Sequence, residues 1–352
     1  MSWLNDNFIS RFFVTVINWF YSFTGSYLLA VILFTLVIRL LLLPLDIRQR
    51  KAQQKQAAVA GKVKEIQERF KHDPAMAQRK VQEFYRKNNI KLTAGCLPVL
   101  LQLPILFAMF GAITILSNVQ MVTMVSDLSQ GKEAQLESAL WVHNIWRPDT
   151  GTASVMPSVS EFSQLLTQSK DLIGENLITE QTMENATTML QNTTINQLAL
   201  ITPKLEANSF FGSMAQEGLN SIDPARVTSA VTMNYNSVIA PITNQYEGVA
   251  NGWYIFPLLA GASMFALYRI QRMQQEKAGS PQAGSMKSME IIMPVFIIFW
   301  ASSAGVCFAF YWMLSNLYSL ALIPLTDWLA KREENANPKN DEKPKKQKAL
   351  KA

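Results

Sequence analysis

The stretch that decides the fold is Ser26–Leu45, which reads SYLLAVILFTLVIRLLLLPL. Apart from Arg39, its only clearly polar residues are Ser26 and Thr35. About 20 apolar residues are enough for a helix to cross the hydrocarbon core of a bilayer. The sequence therefore predicts an integral membrane protein whose first span, residues 26–45, carries a single charge.

Arg39 is the residue that this span must accommodate. A guanidinium stays charged at any working pH, and deep in a bilayer it is costly unless water or polar groups receive it. Thr35 lies one helical turn earlier, on the same face. We therefore expect Arg39 to face a wet cavity, a partner charge or the interior of a helix bundle. Snorkelling of the long side chain toward the headgroups beyond Leu45 is the alternative.

The composition is typical of a membrane protein and gives no sign of an enzyme. Of the 352 residues, 49% are hydrophobic and 16% are charged, which is a low charged fraction for a soluble domain. The two cysteines and the two histidines are each far apart in sequence, so no metal-ligand set or disulfide framework is indicated. No HExxH, GxSxG or P-loop pattern occurs. We expect no enzymatic activity, no cofactor and no metal.

Four further apolar segments predict that five helices span the membrane. The last two are joined by the small residues 302–305, which favours a tight helical hairpin. Prolines occur in several spans, as is common where neighbouring helices can satisfy the freed carbonyls. Besides residues 26–45, the predicted spans are 95–117, 252–270, 289–303 and 305–324.

Charge is segregated between the segments that connect the spans. Segment 46–93 holds thirteen Lys/Arg and five Asp/Glu, whereas segment 118–250 holds five and thirteen. The loop 271–288 and the tail 327–352 are also basic. By the positive-inside rule, the basic segments lie in the cytoplasm and the acidic segment outside. Five spans then place the N-terminus outside and the C-terminus in the cytoplasm, and we expect the Lys-rich tail to be disordered.

The segment before the first span has helical, amphipathic spacing. Residues 1–25 carry apolar and aromatic side chains at helical intervals, interrupted by polar ones. We expect a helix that lies flat on the outer membrane surface. A signal peptide is the alternative, although the segment lacks a basic n-region and an uninterrupted h-region.

The basic segment 46–93 is predicted to form a helical hairpin in the cytoplasm. Asp73 suits a helix N-cap and Pro74 suits a first helical turn, so the hairpin should bend there. Its basic faces are either simply solvated or contact anionic lipid headgroups or ribosomal RNA. Outside the membrane, residues 150–250 form a polar insertion with helical stretches such as Val159–Leu172, and no role is assigned to it.

Several motifs resemble the YidC-type membrane-protein insertases of bacteria, which are related to the oxidase-assembly and Albino insertases of organelles. Residues 35–45, with the lone arginine and the following proline, resemble the first core helix of that family. Residues 95–107, GCLPVLLQLPILF, resemble its second core helix and are the most specific match. Residues 140–146, LWVHNIW, resemble the segment after that helix, and 304–305 with 310–317 resemble the fifth helix. The long insertion and Ala94, where the family often has Gly, are departures.

The resemblance implies an all-α insertase with a five-helix core in the bacterial plasma membrane. Such a protein moves hydrophobic segments of nascent proteins from the cytoplasm into the bilayer through a polar groove, without nucleotide hydrolysis. Its partners would be nascent membrane proteins and lipid. The Sec translocon, the signal-recognition machinery and the ribosome are candidate partners of the basic hairpin and tail, and DNA is not.

The resemblance also assigns roles to individual residues. The groove would contain Arg39 and be lined by polar side chains, and two aromatic residues of the fifth helix would contact the sliding substrate. Interhelical hydrogen bonding and aromatic core packing are the respective alternatives. The groove residues are Arg39, Thr35, Gln102, Ser315 and Asn316, and the aromatic residues are Tyr311 and Trp312.

The main alternative function is a small-anion transporter or channel that uses Arg39 as its selectivity charge. Five spans without an internal repeat argue against the usual transporter plan. The lack of a second charge in the spans argues against a coupled proton pathway. An assembly scaffold without insertion activity would tolerate the loss of Arg39.

Overall fold

The computed structural model describes residues 8–88, 97–188, 190, 224–277 and 283–336. Within these ranges the regular secondary structure is helical, with one isolated antiparallel bridge between Ala139 and Val142 and no strand. This confirms the all-α class. The helices are α1 Phe8–Thr24, α2 Tyr27–Arg69, α3 Pro74–Lys87, α4 Leu97–Ser129, α5 Val159–Ser169, α6 Glu180–Thr188, α7 Pro224–Thr243, α8 Ile255–Lys277, α9 Ala283–Ala301 and α10 Val306–Ala336.

Some predictions lie outside the described residues. They include the first residues of the N-terminal helix, the start of the second span with Cys96, part of the insertion and most of the basic tail. Gln102 belongs to α4, but its side chain is also outside the described set.

Three of the described helices contain an apolar stretch that is long enough to cross a membrane. These stretches overlap the first, second and fifth predicted spans. In α2, the helix continues through Pro44 and well beyond the apolar stretch, because the polar residues that follow keep helical spacing. The three candidate spans are Tyr27–Gln56, Leu103–Ser129 and Val306–Leu329.

The other two predicted spans, 252–270 and 289–303, lie on α8 and α9. The apolar run of α8 extends from Ile255 to Tyr268 and is followed by Arg269. At 1.5 Å per residue that run measures about 21 Å, which is less than a hydrocarbon core of roughly 30 Å. The five-span arrangement therefore stays a prediction.

The chain forms two compact units. Unit 1 comprises Met1–Phe34, Ile105–Leu258 and Ile298–Tyr311. Unit 2 comprises Thr35–Pro104, Leu259–Ile297 and Trp312–Ala352.

In unit 1, α1 buries one face and exposes another. Phe13 meets Phe34 edge to face, with ring centroids 4.8 Å apart. Gly25, with φ of +66°, then makes the turn into α2, a backbone conformation that a side chain would disfavour. The exposed face is also apolar and includes Phe8, Phe12 and Trp19. The position of this helix at a membrane surface stays a prediction.

The insertion in unit 1 has a small core of its own. The Phe162 and Tyr235 rings stack with centroids 5.2 Å apart. The buried Tyr235 hydroxyl donates a hydrogen bond to the Pro157 carbonyl at 2.8 Å. The predicted helical stretch Val159–Leu172 is confirmed, because α5 is followed directly by a 3-10 turn that ends at Leu172.

In unit 2, α3 follows α2 after a short turn. Asp73 caps α3, since its carboxylate accepts a hydrogen bond from the Met76 N–H at 2.9 Å, and Pro74 begins the helix. Both features agree with the sequence analysis. Residues of both helices, among them Val63 and Tyr85, line a surface pocket of about 560 Å³. This pocket is separate from the groove expected around Arg39. The cytoplasmic location of this hairpin stays a prediction.

Candidate functional site

Arg39 is buried on α2. Its exposed fraction is 8%, and that of Thr35, one turn earlier, is 2%. Because the apolar pattern of α2 continues on both sides of Arg39, the helix itself offers the guanidinium almost no polar surroundings. The groups that receive this charge must therefore come from other segments or from more distant turns.

Tyr318 on α10 is the aromatic partner of Arg39. The guanidinium carbon lies 5.7 Å from the centroid of the Tyr318 ring, within the range of a cation–π interaction. The Tyr318 hydroxyl donates a hydrogen bond to the main-chain carbonyl of Arg39 at 3.0 Å. The sequence analysis missed this residue. A signal was available, since Tyr311, Ser315 and Tyr318 follow one another at helical spacing on one face of α10.

Within the described part of the chain, the charge of Arg39 has no direct counter-ion. Among the described residues, the ion pairs do not include Arg39, and no acceptor takes a hydrogen bond from its guanidinium. Asp46, two turns further along α2, is close enough to interact electrostatically with Arg39 and Arg50 and to hydrogen-bond with the Tyr318 side chain.

Two further polar contacts join α2 to α10 beyond Arg39. Arg50 donates a hydrogen bond to the Ser319 carbonyl at 2.8 Å. Gln54 donates one to the Asp327 carboxylate, also at 2.8 Å. Together with the Tyr318 contact, these two hydrogen bonds fix how α2 and α10 align along their axes. They therefore also fix which turn of α10 lies beside Arg39.

Asn316 and Ser315 differ in their hydrogen bonding. The Asn316 amide donates to the Ala260 carbonyl at 3.3 Å and to the Ser263 hydroxyl at 3.1 Å. This is an interhelical contact with α8, the alternative that the sequence left open. The Ser315 hydroxyl is buried and has no hydrogen-bond partner among the described residues. Such a group is costly unless a further partner reaches it.

The two candidate aromatic residues are buried. Tyr311 is 2% exposed and Trp312 is 7% exposed, and they belong to unit 1 and unit 2 respectively. Their burial agrees with aromatic core packing, while their contact with a substrate stays a prediction. The structure thus brings Arg39 together with Tyr318, and Asn316 together with α8.

An ion-pair cluster centred on the buried Glu290 and Arg272 connects α8 to α9 in unit 2. Glu290 on α9 forms ion pairs with Arg272 and, at 3.2 Å, with Arg269. Arg272 also pairs with Glu276 one turn along α8. Arg269 lies inside the predicted span 252–270 and Glu290 inside 289–303, so the statement that Arg39 is the one charge in the spans was wrong. A signal was available in the sequence. Glu290 directly precedes the apolar run of α9, and Arg269 and Arg272 follow the apolar run of α8.

Comparison with known proteins places the chain among membrane proteins. A family model described as 60Kd inner membrane protein matches residues 19–203 and 202–324. The chain is 35% identical over 125 residues to the membrane protein insertase YidC of Clostridium perfringens, across 36% of this chain and 46% of that protein.

Two other relatives carry the same name. The protein of Wolinella succinogenes is 40% identical over 103 residues, which cover 29% of this chain and 19% of the relative. That of Chlorobium limicola is 38% identical over 108 residues, covering 31% and 18%. The chain thus matches less than half the length of these curated relatives.

Proposed function

The chain belongs to the 60Kd inner membrane protein family, and from this premise we propose that it is a membrane-protein insertase of the bacterial plasma membrane. It moves hydrophobic segments of nascent proteins from the cytoplasm into the bilayer and hydrolyses no nucleotide. The observation that carries the proposal is Arg39, which is buried in a candidate span without a direct counter-ion among the described residues.

Arg39 attracts an acidic residue in the hydrophilic tail of the substrate. Two unit charges 4 Å apart attract each other by about 1 kcal/mol in water but by about 4 kcal/mol at an effective dielectric constant of 20. A wet groove with apolar walls therefore favours the capture of a carboxylate far more than bulk water does. Asp46 balances part of the Arg39 charge through space, and an incoming carboxylate competes with it for the guanidinium.

The energy for release comes from the lipid. Each Å² of apolar substrate surface that leaves water contributes roughly 25 cal/mol. A segment of spanning length buries enough area to leave the groove spontaneously. No step therefore requires ATP or GTP.

Polar side chains keep water in the groove beside Arg39. Thr35, Gln102 and Ser315 contribute hydroxyl and amide groups, and the unpartnered hydroxyl of Ser315 supports this role. Asn316 also lines the groove, although in the resting state its amide is held by α8. Tyr311 and Trp312 contact the apolar part of the substrate once it enters.

The topology has five spans, with the N-terminus outside and the C-terminus in the cytoplasm. The basic hairpin 46–93 then faces the cytoplasm and receives the substrate first. Its charge, with that of the tail, suits contacts with the ribosome, the signal-recognition machinery or the Sec translocon.

The test is the rescue of a bacterial strain depleted of its own insertase. It compares the wild-type chain with Arg39→Lys and Arg39→Ala at equal expression, on a single-span substrate with an acidic tail and on a version with a neutral tail. We expect Arg39→Lys to retain insertion of the acidic-tailed substrate and Arg39→Ala to lose most of it. Insertion of the neutral-tailed substrate should change little.

Two results would count against the proposal. Equal rescue by Arg39→Ala on the acidic tail would make Arg39 a structural residue. Failure of the wild type to insert any substrate, combined with Arg39-dependent anion flux in proteoliposomes, would favour the transporter alternative.

A further inference from the structure

The segment 137–147 of unit 1 is tied to the first turns of two candidate spans. The Glu137 carboxylate accepts a hydrogen bond from the Leu28 N–H of α2 at 3.0 Å. The Val306 N–H at the start of α10 donates to the Arg147 carbonyl at 3.2 Å. Because the candidate spans of α2 and α10 begin at Tyr27 and Val306, within a few residues of these contacts, we expect the segment to lie level with one membrane surface.

Two large apolar side chains project from this level. Leu140 is 83% exposed, at the tip of a tight turn that paired hydrogen bonds between Ala139 and Val142 close at 2.9 Å each. Trp253 is 69% exposed and comes two residues before the start of α8. We refer to Leu140 and Trp253 as the apolar knob.

The two parts of the knob are held by one buried carboxylate. Asp149 accepts hydrogen bonds from the Trp253 and Phe256 N–H groups, each at 2.6 Å, and from the Trp141 indole at 3.2 Å. The Trp141 and Phe256 rings pack with centroids 4.5 Å apart. The two exposed side chains of the knob therefore belong to a loop that is held by hydrogen bonds, so their exposure is not a result of poor packing.

The backbone conformation of Leu140 is a second observation. Its φ is +53°, and this left-handed conformation costs a residue with a side chain about 1–2 kcal/mol. Gly would adopt it freely. A strained backbone that is kept in the folded protein points to a use for the Leu140 side chain. Exposure of that apolar side chain to water would provide no favourable free energy to offset the strain.

We propose that the apolar knob inserts into the lipid at the membrane surface where α2 and α10 begin. The lipid is the partner that the observations favour, because the knob lies level with the ends of two spans and Trp prefers the headgroup region. Insertion fixes the depth of the loop, and with it the depth of the first turns of α2, α8 and α10. This inference does not depend on the insertase activity.

The test uses spin labels on the full chain in vesicles of phosphatidylethanolamine and phosphatidylglycerol. Nitroxides are attached to Leu140→Cys and Trp253→Cys in a Cys96→Ala, Cys307→Ala background. Gln164→Cys is the matched control, since Gln164 is exposed on the polar face of α5 in the same unit. Collision of each label with oxygen, which dissolves in lipid, is compared with collision with a water-soluble nickel complex.

We expect labels at 140 and 253 to collide with oxygen several-fold more often, relative to nickel, than the label at 164. Nickel accessibility equal to that of position 164 would overturn the proposal, because the knob would then face water. Protection from both reagents would also overturn it, since the knob would then be covered by protein. The two positions are labelled in separate variants, so a folding defect in one variant leaves the other informative.

Discussion

A single hydroxyl, that of Tyr318, connects α10 to the main chain at Arg39. Tyr318→Phe removes that hydrogen bond and keeps the ring beneath the guanidinium. A hydrogen bond of this kind is worth about 0.5–1.5 kcal/mol, so we expect roughly two- to tenfold weaker binding of an acidic-tailed substrate peptide. Tyr318→Leu also removes the cation–π contact and should weaken binding further. Fluorescence anisotropy of the labelled peptide measures both.

A neutral-tailed peptide is the control for the Tyr318 variants, because its binding should not depend on how Arg39 is held. If Tyr318→Leu bound the acidic peptide as tightly as the wild type does, Tyr318 would have no part in positioning Arg39. If it weakened both peptides equally, the effect would be a general loss of packing between α2 and α10.

The carboxylate of Asp149 has a structural role that is also testable. It is 1% exposed and accepts three hydrogen bonds from N–H groups. In Asp149→Asn, an NH₂ group replaces one carboxylate oxygen and faces N–H donors with which it cannot form a hydrogen bond, and the negative charge is lost. Hydrogen bonds to charged groups are worth about 1.5–3 kcal/mol each, so we expect a loss of at least about 2 kcal/mol of stability.

Thermal unfolding in detergent measures the Asp149 effect. Asp171→Asn is the control, because Asp171 is an exposed acidic residue of the same unit. A melting temperature of Asp149→Asn equal to that of the control would mean that the loop does not depend on this carboxylate.

Arg39 and Tyr318 also illustrate what a sequence can reveal about a site. Arg39 is conspicuous because one charge interrupts a long apolar run. Tyr318 lies 279 residues away in the chain, so their contact depends on how α2 and α10 pack. The Asn316 amide meets the main-chain carbonyl of Ala260, an atom that every residue carries, and no residue pattern could single it out.

At the scale of elements, helix starts were predictable because the signals are local. Asp73 and Pro74 are adjacent to the helix that they begin, and the Ser158 hydroxyl and Glu161 carboxylate of α5 form a capping box within four residues. The pairing of α8 with α9 depends instead on Glu290 and two arginines that are about twenty residues away. Such pairing requires knowledge of which helices are neighbours.

The capping box of α5 predicts a pH dependence. Burial alone would raise the pKa of Glu161, but hydrogen bonds from the Ser158 N–H and the charge of Arg147 outweigh it, and the pKa is lowered. A lowered pKa in the folded state adds stability above the ordinary glutamate value of about 4.3, and that stability is lost as the pH falls through the folded-state value.

We therefore expect the wild type to melt at a higher temperature than Glu161→Gln at pH 7. The difference should shrink as the pH is lowered from about 5 to 3. Because half of the Glu161 side chain is exposed, the effect should be small. If the difference in melting temperature between the wild type and Glu161→Gln stayed constant with pH, the loss of stability in the variant would not come from the loss of the carboxylate charge.

The ion-pair cluster gives a prediction about the connection between α8 and α9. Glu290→Gln removes one charge that pairs with the buried Arg272 and, among the described residues, leaves Glu276 as its ion-pair partner. A buried charge that loses its main partner destabilises its surroundings. We expect faster cleavage by trypsin between residues 269 and 287 of the purified protein. Glu276→Gln is the control, since the half-exposed Glu276 should matter less. Equal cleavage of both variants would contradict the role given to Glu290.

The number of membrane spans is five in the sequence-based prediction, whereas the described helices contain three candidate spans. With three spans, α8 and α9 stay on the outer side, and the loop 271–288 lies outside. With five, that loop reaches the cytoplasm. The basic residues Arg269, Arg272 and Lys277 favour the cytoplasm by the positive-inside rule. The short apolar run of α8 is compatible with spanning only if its flanking arginines extend toward the headgroups or the bilayer thins locally.

Cysteine labelling in whole cells decides between these topologies. Gln274→Cys is placed on an exposed position of α8, Lys64→Cys on the basic hairpin and Gln164→Cys on the insertion. A maleimide that cannot cross the membrane should label position 164 from outside and leave 64 unlabelled in either topology. With five spans, position 274 should behave like 64 and react only after the cells are permeabilised. Labelling of 274 in intact cells would mean that α8 and α9 do not cross the membrane, and that fewer helices are available to enclose the proposed groove.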